Sequence, residues 1–290
     1  MSDGRDDRMD DTMERTRTGL DPDWIDREPI NPVLQRRLRL RRGLDPRDGR
    51  HGPVPDGMVS FRIATWNIHS CVGIDARFSP DRIAATIRHL DVDILGLQEV
   101  GWHHRGEVGL DQFEFLSQAT GLNAYPMPTK HHARAHYGNA LFTRFPVKAF
   151  RPIPLTVGHR EPRGGIDAEL EIEGRLVRVM VAHFGLDPWE RNHQITRIIE
   201  TLGRGAQDMP TVFMGDLNEW RPSSPRLKRL TPYFPDVAGP RSFHARLPTL
   251  RLDRIFVSKE IAMPTFEVVR NDHTRRASDH LPVRATLAIA

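Results

Sequence analysis

Residues 211–220 read TVFMGDLNEW. A β-branched and aromatic run from Thr211 to Met214 stops at Gly215 and then sets Asp216 and Asn218 two positions apart. Such a run, ending in Gly and Asx residues, describes a strand that closes in a turn, because Asp and Asn bond their own backbone. Alone, the stretch says no more than that. Its weight comes from repetition elsewhere in the chain. TWNIH holds Asn67 and His69, LQEV holds Glu99, VAHF holds His183, RLDRIFVS holds Asp253, and SDHLPV holds Asp279 and His280. In each, a polar, metal-capable residue stands at or near one end of an apolar run.

Working outward, SFRIATWNI and VDILGLQEV read as strands, and SPDRIAATIRHL between them reads as a helix. Ser79 is its cap, Pro80 its first residue, and Ile83, Ile87 and Leu90 share a face. DQFEFLSQATG and DPWERNHQITRIIETLGRG read as two further helices, each opened by Asp and closed by Gly. NALFTRF, RPIPLTV, GIDAELEI and RLVRVMVAHF are strands, the last two joined at Glu173-Gly174 with hairpin spacing. LDRIFVS, TFEVVR and PVRATLAIA follow. About nine strands and three helices, with many short turns, predict an α/β (α+β) fold of two packed, mostly antiparallel sheets flanked by helices. Strand ends along one edge converge, so the polar residues can share a pocket.

Residues 1–58 differ. They hold 12 Arg, no Lys and 13 acidic residues, are interrupted by proline, and lack periodic apolar positions, so they are expected to form a largely disordered tail before a domain over 59–290. NPVLQRRLRLRRGL within the tail could form a short basic helix, although a solvated stretch is the plainer reading. The net charge of +4 suggests phosphates, nucleic acid or anionic lipid as partners. Cys71 is the single cysteine, which excludes an intrachain disulfide and a zinc site built on cysteines. No apolar run reaches the roughly 18 residues of a membrane span and no signal core opens the chain, so a cytoplasmic location is expected.

Carboxylate and amide oxygens suit Mg²⁺ or Mn²⁺, with Glu99 the natural ligand. A histidine paired with an aspartate, as His280 could be with Asp253 or Asp279, can move a proton or stabilise a phosphoryl group. Asp216 and Asn218 could position a water. KHHARAHYGNALFTR, with His131, His132, His136 and Tyr137, reads first as a solvated loop; Arg160 and Arg163 read equally as phosphate clamps or solvated charges. Trp102, Trp189 and Trp220 lie near these loops, and segments 101–112, 126–137 and 221–248 read as loops that set specificity.

The ordered run TWN, QE, H, GDLN, LDRIFVS, SDH resembles the endonuclease/exonuclease/phosphatase superfamily, across residues 60–288. The resemblance implies a four-layer, DNase I-like sandwich and Mg²⁺-dependent attack of water on a phosphate ester, Mn²⁺ able to substitute. It makes Glu99 the principal metal ligand, with Asn67 beside it and Asp279 on the metal side. Asp216 would align or deprotonate the water, Asn218 would assist it, and His280 backed by Asp253 would contact the phosphate. His183 matches a position held by His or Asn in different branches. WNIHSCVG departs from the Asn-Gly-x-Arg continuation typical of abasic-site enzymes, and Glu219-Trp220 departs from the inositol phosphatases. What remains is similar to the compact prokaryotic hydrolases, some linked to phospholipids. A nuclease is the rival expectation, and a catalytically idle basic scaffold the expectation from another class.

Overall fold

The computed structural model describes residues 48–101, 110–132, 135–204, 208–221 and 223–290. The strands are β1 Gly49–Arg50, β2 Val59–Asn67, β3 Ile94–Gly101, β4 Asn123–His132, β5 Ala135–Thr143, β6 Val147–Pro154, β7 Gly164–Ile172, β8 Arg175–His183, β9 Thr211–Asp216, β10 Asp236–Ala238, β11 Asp253–Val257, β12 Ile261–Val268 and β13 Val283–Ile289. The helices are α1 Pro80–Leu90, α2 Gln112–Thr120, α3 Pro188–Leu202, α4 Pro225–Lys228 and α5 Asp272–Ala277. One sheet runs β1-β12-β13-β2-β3-β5-β4 and the other β10-β11-β9-β8-β7-β6. All pairings are antiparallel except β2 with β3 and β8 with β9, each of which encloses one of the expected helices, α1 or α3.

Strand alternation sorts the side chains into layers. Phe61 and Ile63 of β2 join Val179 and Val181 of β8 and Val212 and Met214 of β9 between the sheets. The intervening Ala64 and Trp66 pack under Ile83, Ile87 and Leu116 of α1 and α2. Met180 and Phe213 face outward against Ile195 and Ile198 of α3. The order helix, sheet, sheet, helix is the expected four-layer sandwich. Its sheets approach closely at Gly96, where a Cβ would lie 2.8 Å from Met214 Cε and 3.0 Å from Val181.

The three expected helices form with the expected caps: Ser79, Asp111 and Asp187 each accept backbone N–H bonds at the helix starts. Glu173 and Gly174 both have positive φ, as the β7–β8 hairpin turn requires. Segment 126–137 is a correction: it holds most of β4 and the start of β5, and Tyr137 is buried in β5 rather than solvated. Pro126 and Pro128 argue against a strand, yet β4 is the last strand of its sheet, and an edge has no partner to lose on that side. β6, with Pro152 and Pro154, is likewise an edge. Segment 221–248 likewise contains the short α4 and β10.

Of the expected tail, residues 1–47 lie outside the described residues. From Asp48 onward the chain is attached to the domain. Gly49 and Arg50 pair with Glu267 and Phe266, Arg50 bonds Asp236, and Asp48 meets Arg241 at 2.6 Å and Arg251 at 2.9 Å.

Candidate active site

The two parallel pairs place their carboxyl ends at the same region of the sandwich. β2 ends at Asn67 and β3 carries Glu99 in one sheet; β8 ends at His183 and β9 at Asp216 in the other. Within the second sheet Asp216 stands in register between His183 and Asp253, so sheet pairing alone brings three site residues together. Gly215 has φ near +149° and a Cβ there would lie 1.9 Å from Ala182 O, so the residue before Asp216 must lack a side chain. In β3 the register slips between Leu97 and Val100, and Glu99 within the bulge has φ +56°. A bulge re-aims a side chain that would otherwise alternate with its neighbours.

Asp216 is buried and fully engaged. Its Oδ1 accepts the Asn218 backbone N–H at 3.0 Å. Its Oδ2 accepts Asn67 Nδ2 at 3.1 Å and lies 3.6 Å from Nε2 of both His183 and His280. The same Asn67 nitrogen donates to Glu99 Oε1 at 3.1 Å, while Asn67 Oδ1 accepts the His69 N–H. Asn67 thus links the two carboxylates across the sheets. Asn218 donates through Nδ2 to Phe184 O, tying the loop after β9 to the end of β8.

His280 Nδ1 lies 2.9 Å from Asp253 Oδ2, which also accepts Ser242 Oγ at 2.5 Å. The loop carrying His280 is held by β2 and by the segment before β11: Trp66 Nε1 donates to His280 O, Ser278 Oγ to Asn67 O, and Leu281 N to Ser242 O. Burial alone would strip the imidazole of its proton, but Asp253 and then Asp216 outweigh it and raise His280 to about 10. Burial raises Asp216 to about 6, with the charge of His280 opposing. His280 is therefore a cation beside a carboxylate at neutral pH.

His183 is the opposite case. Burial first, then the Arg163 guanidinium, holds it well below the usual imidazole range. Arg163 Nη1 lies 2.9 Å from His183 Nδ1 and 3.2 Å from its Nε2, so the guanidinium, which only donates, sits against the ring edge, while Nε2 also stands 3.6 Å from Asp216 Oδ2. Arg163 is itself buried and clamped by Glu161 at 2.7 Å.

Asp216, Asp253 and His280 form a group with ligand atoms within 4.8 Å of one another. A cation among them would confront the protonated imidazole. Glu99 is the carboxylate better suited to a hard divalent ion: it is partly exposed, lies 4.0 Å from His183 Nε2, and pairs with no lysine or arginine among the described residues. Asp279 lies apart from the Asp216 network, with Oδ1 3.2 Å from Ser278 Oγ and 3.9 Å from His69 Nδ1. His69 also contacts Val72 O and is half-exposed.

Three participants came from outside the strand-end motifs. Arg163 was legible only as one of two arginines before a strand. Tyr137 lies close enough to Glu99 to bond it and was hidden in what reads as a loop. Ser242 carries no sequence signal, since it reaches Asp253 from an irregular segment. Trp102 and the side chains of His131 and His132 lie outside the described residues.

The profile of the Endonuclease/Exonuclease/phosphatase family matches residues 64–280. The uncharacterized protein YbhP of Escherichia coli K12 is 29% identical over 259 residues, covering 81% of this chain and 99% of that protein. A solved endonuclease/exonuclease/phosphatase from Beutenbergia cavernae superposes with a TM-score of 0.64 at 23% identity, over 80% of this chain and 72% of the other. The human Nocturnin catalytic domain, solved with a bound sulfate anion, gives 0.62 at 21% identity, over 81% and 97%. The profile match spans most of the chain from Ala64 to His280 and so takes in every residue of the site; the chain belongs to the Endonuclease/Exonuclease/phosphatase family and, with it, to the phosphoric ester hydrolases.

Proposed function

We propose that this protein hydrolyses a phosphodiester, phospholipid-derived or small, by Mg²⁺-assisted attack of water, with Mn²⁺ able to substitute. The observation that supports this most is the surround of Asp216 Oδ2, where Asn67, His183 and His280 converge from two sheets and a loop on a buried carboxylate. Glu99 would hold the ion, with Asn67 orienting Glu99 and Asp279 on the metal side. When bound, the ion supplies neutralisation of phosphate charge and polarises the ester.

The chain's own residues supply the rest. Asp216 takes the proton of the attacking water, with Asn218 fixing the carboxylate through its backbone N–H. His280 presents a positive charge to the phosphoryl oxygens and keeps it because Asp253 lies behind the ring. His183, kept neutral by burial and held in place by Arg163, offers a hydrogen bond to the same oxygens. The leaving alkoxide takes its proton from solvent.

A substrate panel with Mg²⁺ tests this reading: a chromogenic diester, a chromogenic monoester, abasic duplex DNA, single-stranded RNA and phosphatidylglycerol vesicles, with Asp216→Ala as blank. Turnover of diesters that the blank lacks is the expected result. Cleavage confined to nucleic acid would replace it with a nuclease, and uniform silence with the idle scaffold.

A further inference from the structure

Among the described residues, the four most exposed large apolar side chains are Leu186 (73%), Leu247 (72%), Trp189 (56%) and Trp220 (49%); the next, Leu176, stands at 42%. All four sit on segments that leave the site. Leu186 and Trp189 follow His183, and Trp220 follows Asn218. Leu247 belongs to the segment whose Phe243 ring packs on His280 at 4.8 Å. Single exposed apolar residues are ordinary, but concentration around one mouth marks an interaction surface. A buried support joins two of the segments: Glu219, beside Trp220, lies 3.5 Å from Arg191, two residues after Trp189.

The exposed charges beside Trp220 and Leu247 are positive, and Asp187, between Leu186 and Trp189, lies 3.5 Å from Arg160, whose guanidinium also stands over the Trp189 ring at 5.9 Å. Arg221 lies over the Trp220 ring at 5.1 Å, and Arg246 is exposed next to Leu247 in a stretch with no acidic residue from Gly239 to Leu252. We propose that this rim docks on an anionic bilayer, the four apolar tips entering the headgroup region and the two arginines meeting lipid phosphates. The substrate is then a lipid phosphodiester presented at a membrane surface, an inference that rests on reading the site as a phosphodiesterase. Tryptophan with leucine and arginine is the composition of interfacial insertion. Nucleic acid fits less well, because leucine offers no face on which a base can stack.

The test is co-sedimentation of the full chain with vesicles of phosphatidylcholine alone or mixed equally with phosphatidylglycerol, with single-stranded RNA as competitor. The expected result is binding to the mixed vesicles, weakened about tenfold or more in L186S/W189S and in W220S/L247S at unchanged Tm. R221E/R246E should lose the preference for phosphatidylglycerol. Equal binding by all variants, no binding by the wild type, or displacement of the tips from vesicles by RNA would overturn the proposal. Binding is read without turnover. A protein that docks while hydrolysing no diester therefore refutes the catalytic reading and not the surface; one that hydrolyses soluble diesters without docking refutes the surface alone.

Discussion

Asp216 and His280 stand 3.6 Å apart in a buried site and are forced to share it as an ion pair, each tied down from behind, Asp216 by Asn218 and His280 by Asp253. That arrangement predicts how substitution acts. Asp216→Asn keeps the side chain's size and removes the base, so kcat should fall by about 10²–10⁴. Steady-state kinetics and a melting curve check this, and an active, folded Asp216→Asn protein would remove Asp216 from the chemistry. Arg163→Lys should also be costly, because one point charge cannot bridge Glu161 and His183 as the guanidinium fork does. A loss of about tenfold in kcat/KM is expected, and His183 should titrate differently by NMR. At this scale the motif residues were legible because each follows or opens an apolar run, while Arg163 and Tyr137 were legible only as candidates no better than solvated residues, and Ser242 was not legible at all. They reach the site from elements whose approach only the assembled fold determines.

At the scale of elements, the same demand that places Asp216 makes β9 intolerant of change. Gly215→Ala puts a methyl against Ala182 O in a backbone region that favours glycine, and should destabilise by at least ~2 kcal/mol, read from urea unfolding. Cys71 offers a milder probe. Buried, with Sγ 3.2 Å from Gln112 Oε1, its thiol is pushed up by burial. It should resist thiol reagents at pH 8 in the native protein and react in full once unfolded. The helices were legible through their caps, which are local chemistry. The β4–β5 hairpin was not, because prolines argue against a strand unless one knows that the strand lies at an edge, and edge position is a property of the whole sheet.

For the whole molecule, the two-sheet sandwich was legible from strand count and turn spacing, but strand order was not, since no local signal says that β2 lies between β13 and β3. The boundary also depends on distant partners: Asp48 reads as tail and binds Arg241 and Arg251. Deleting residues 1–55 should therefore lower Tm by roughly 5 °C relative to deleting 1–47, because Asp48 and β1 are lost. The central claim, that two sheets and their loops assemble a metal-dependent phosphodiesterase, is tested most directly by stripping the protein with EDTA and titrating Mg²⁺ back while following a chromogenic diester. The prediction is that turnover vanishes on stripping, returns with Mg²⁺ in the wild type, and returns only at far higher Mg²⁺ or not at all in Glu99→Gln. Full turnover without any divalent ion, or a Glu99→Gln protein with wild-type Mg²⁺ dependence, would contradict it.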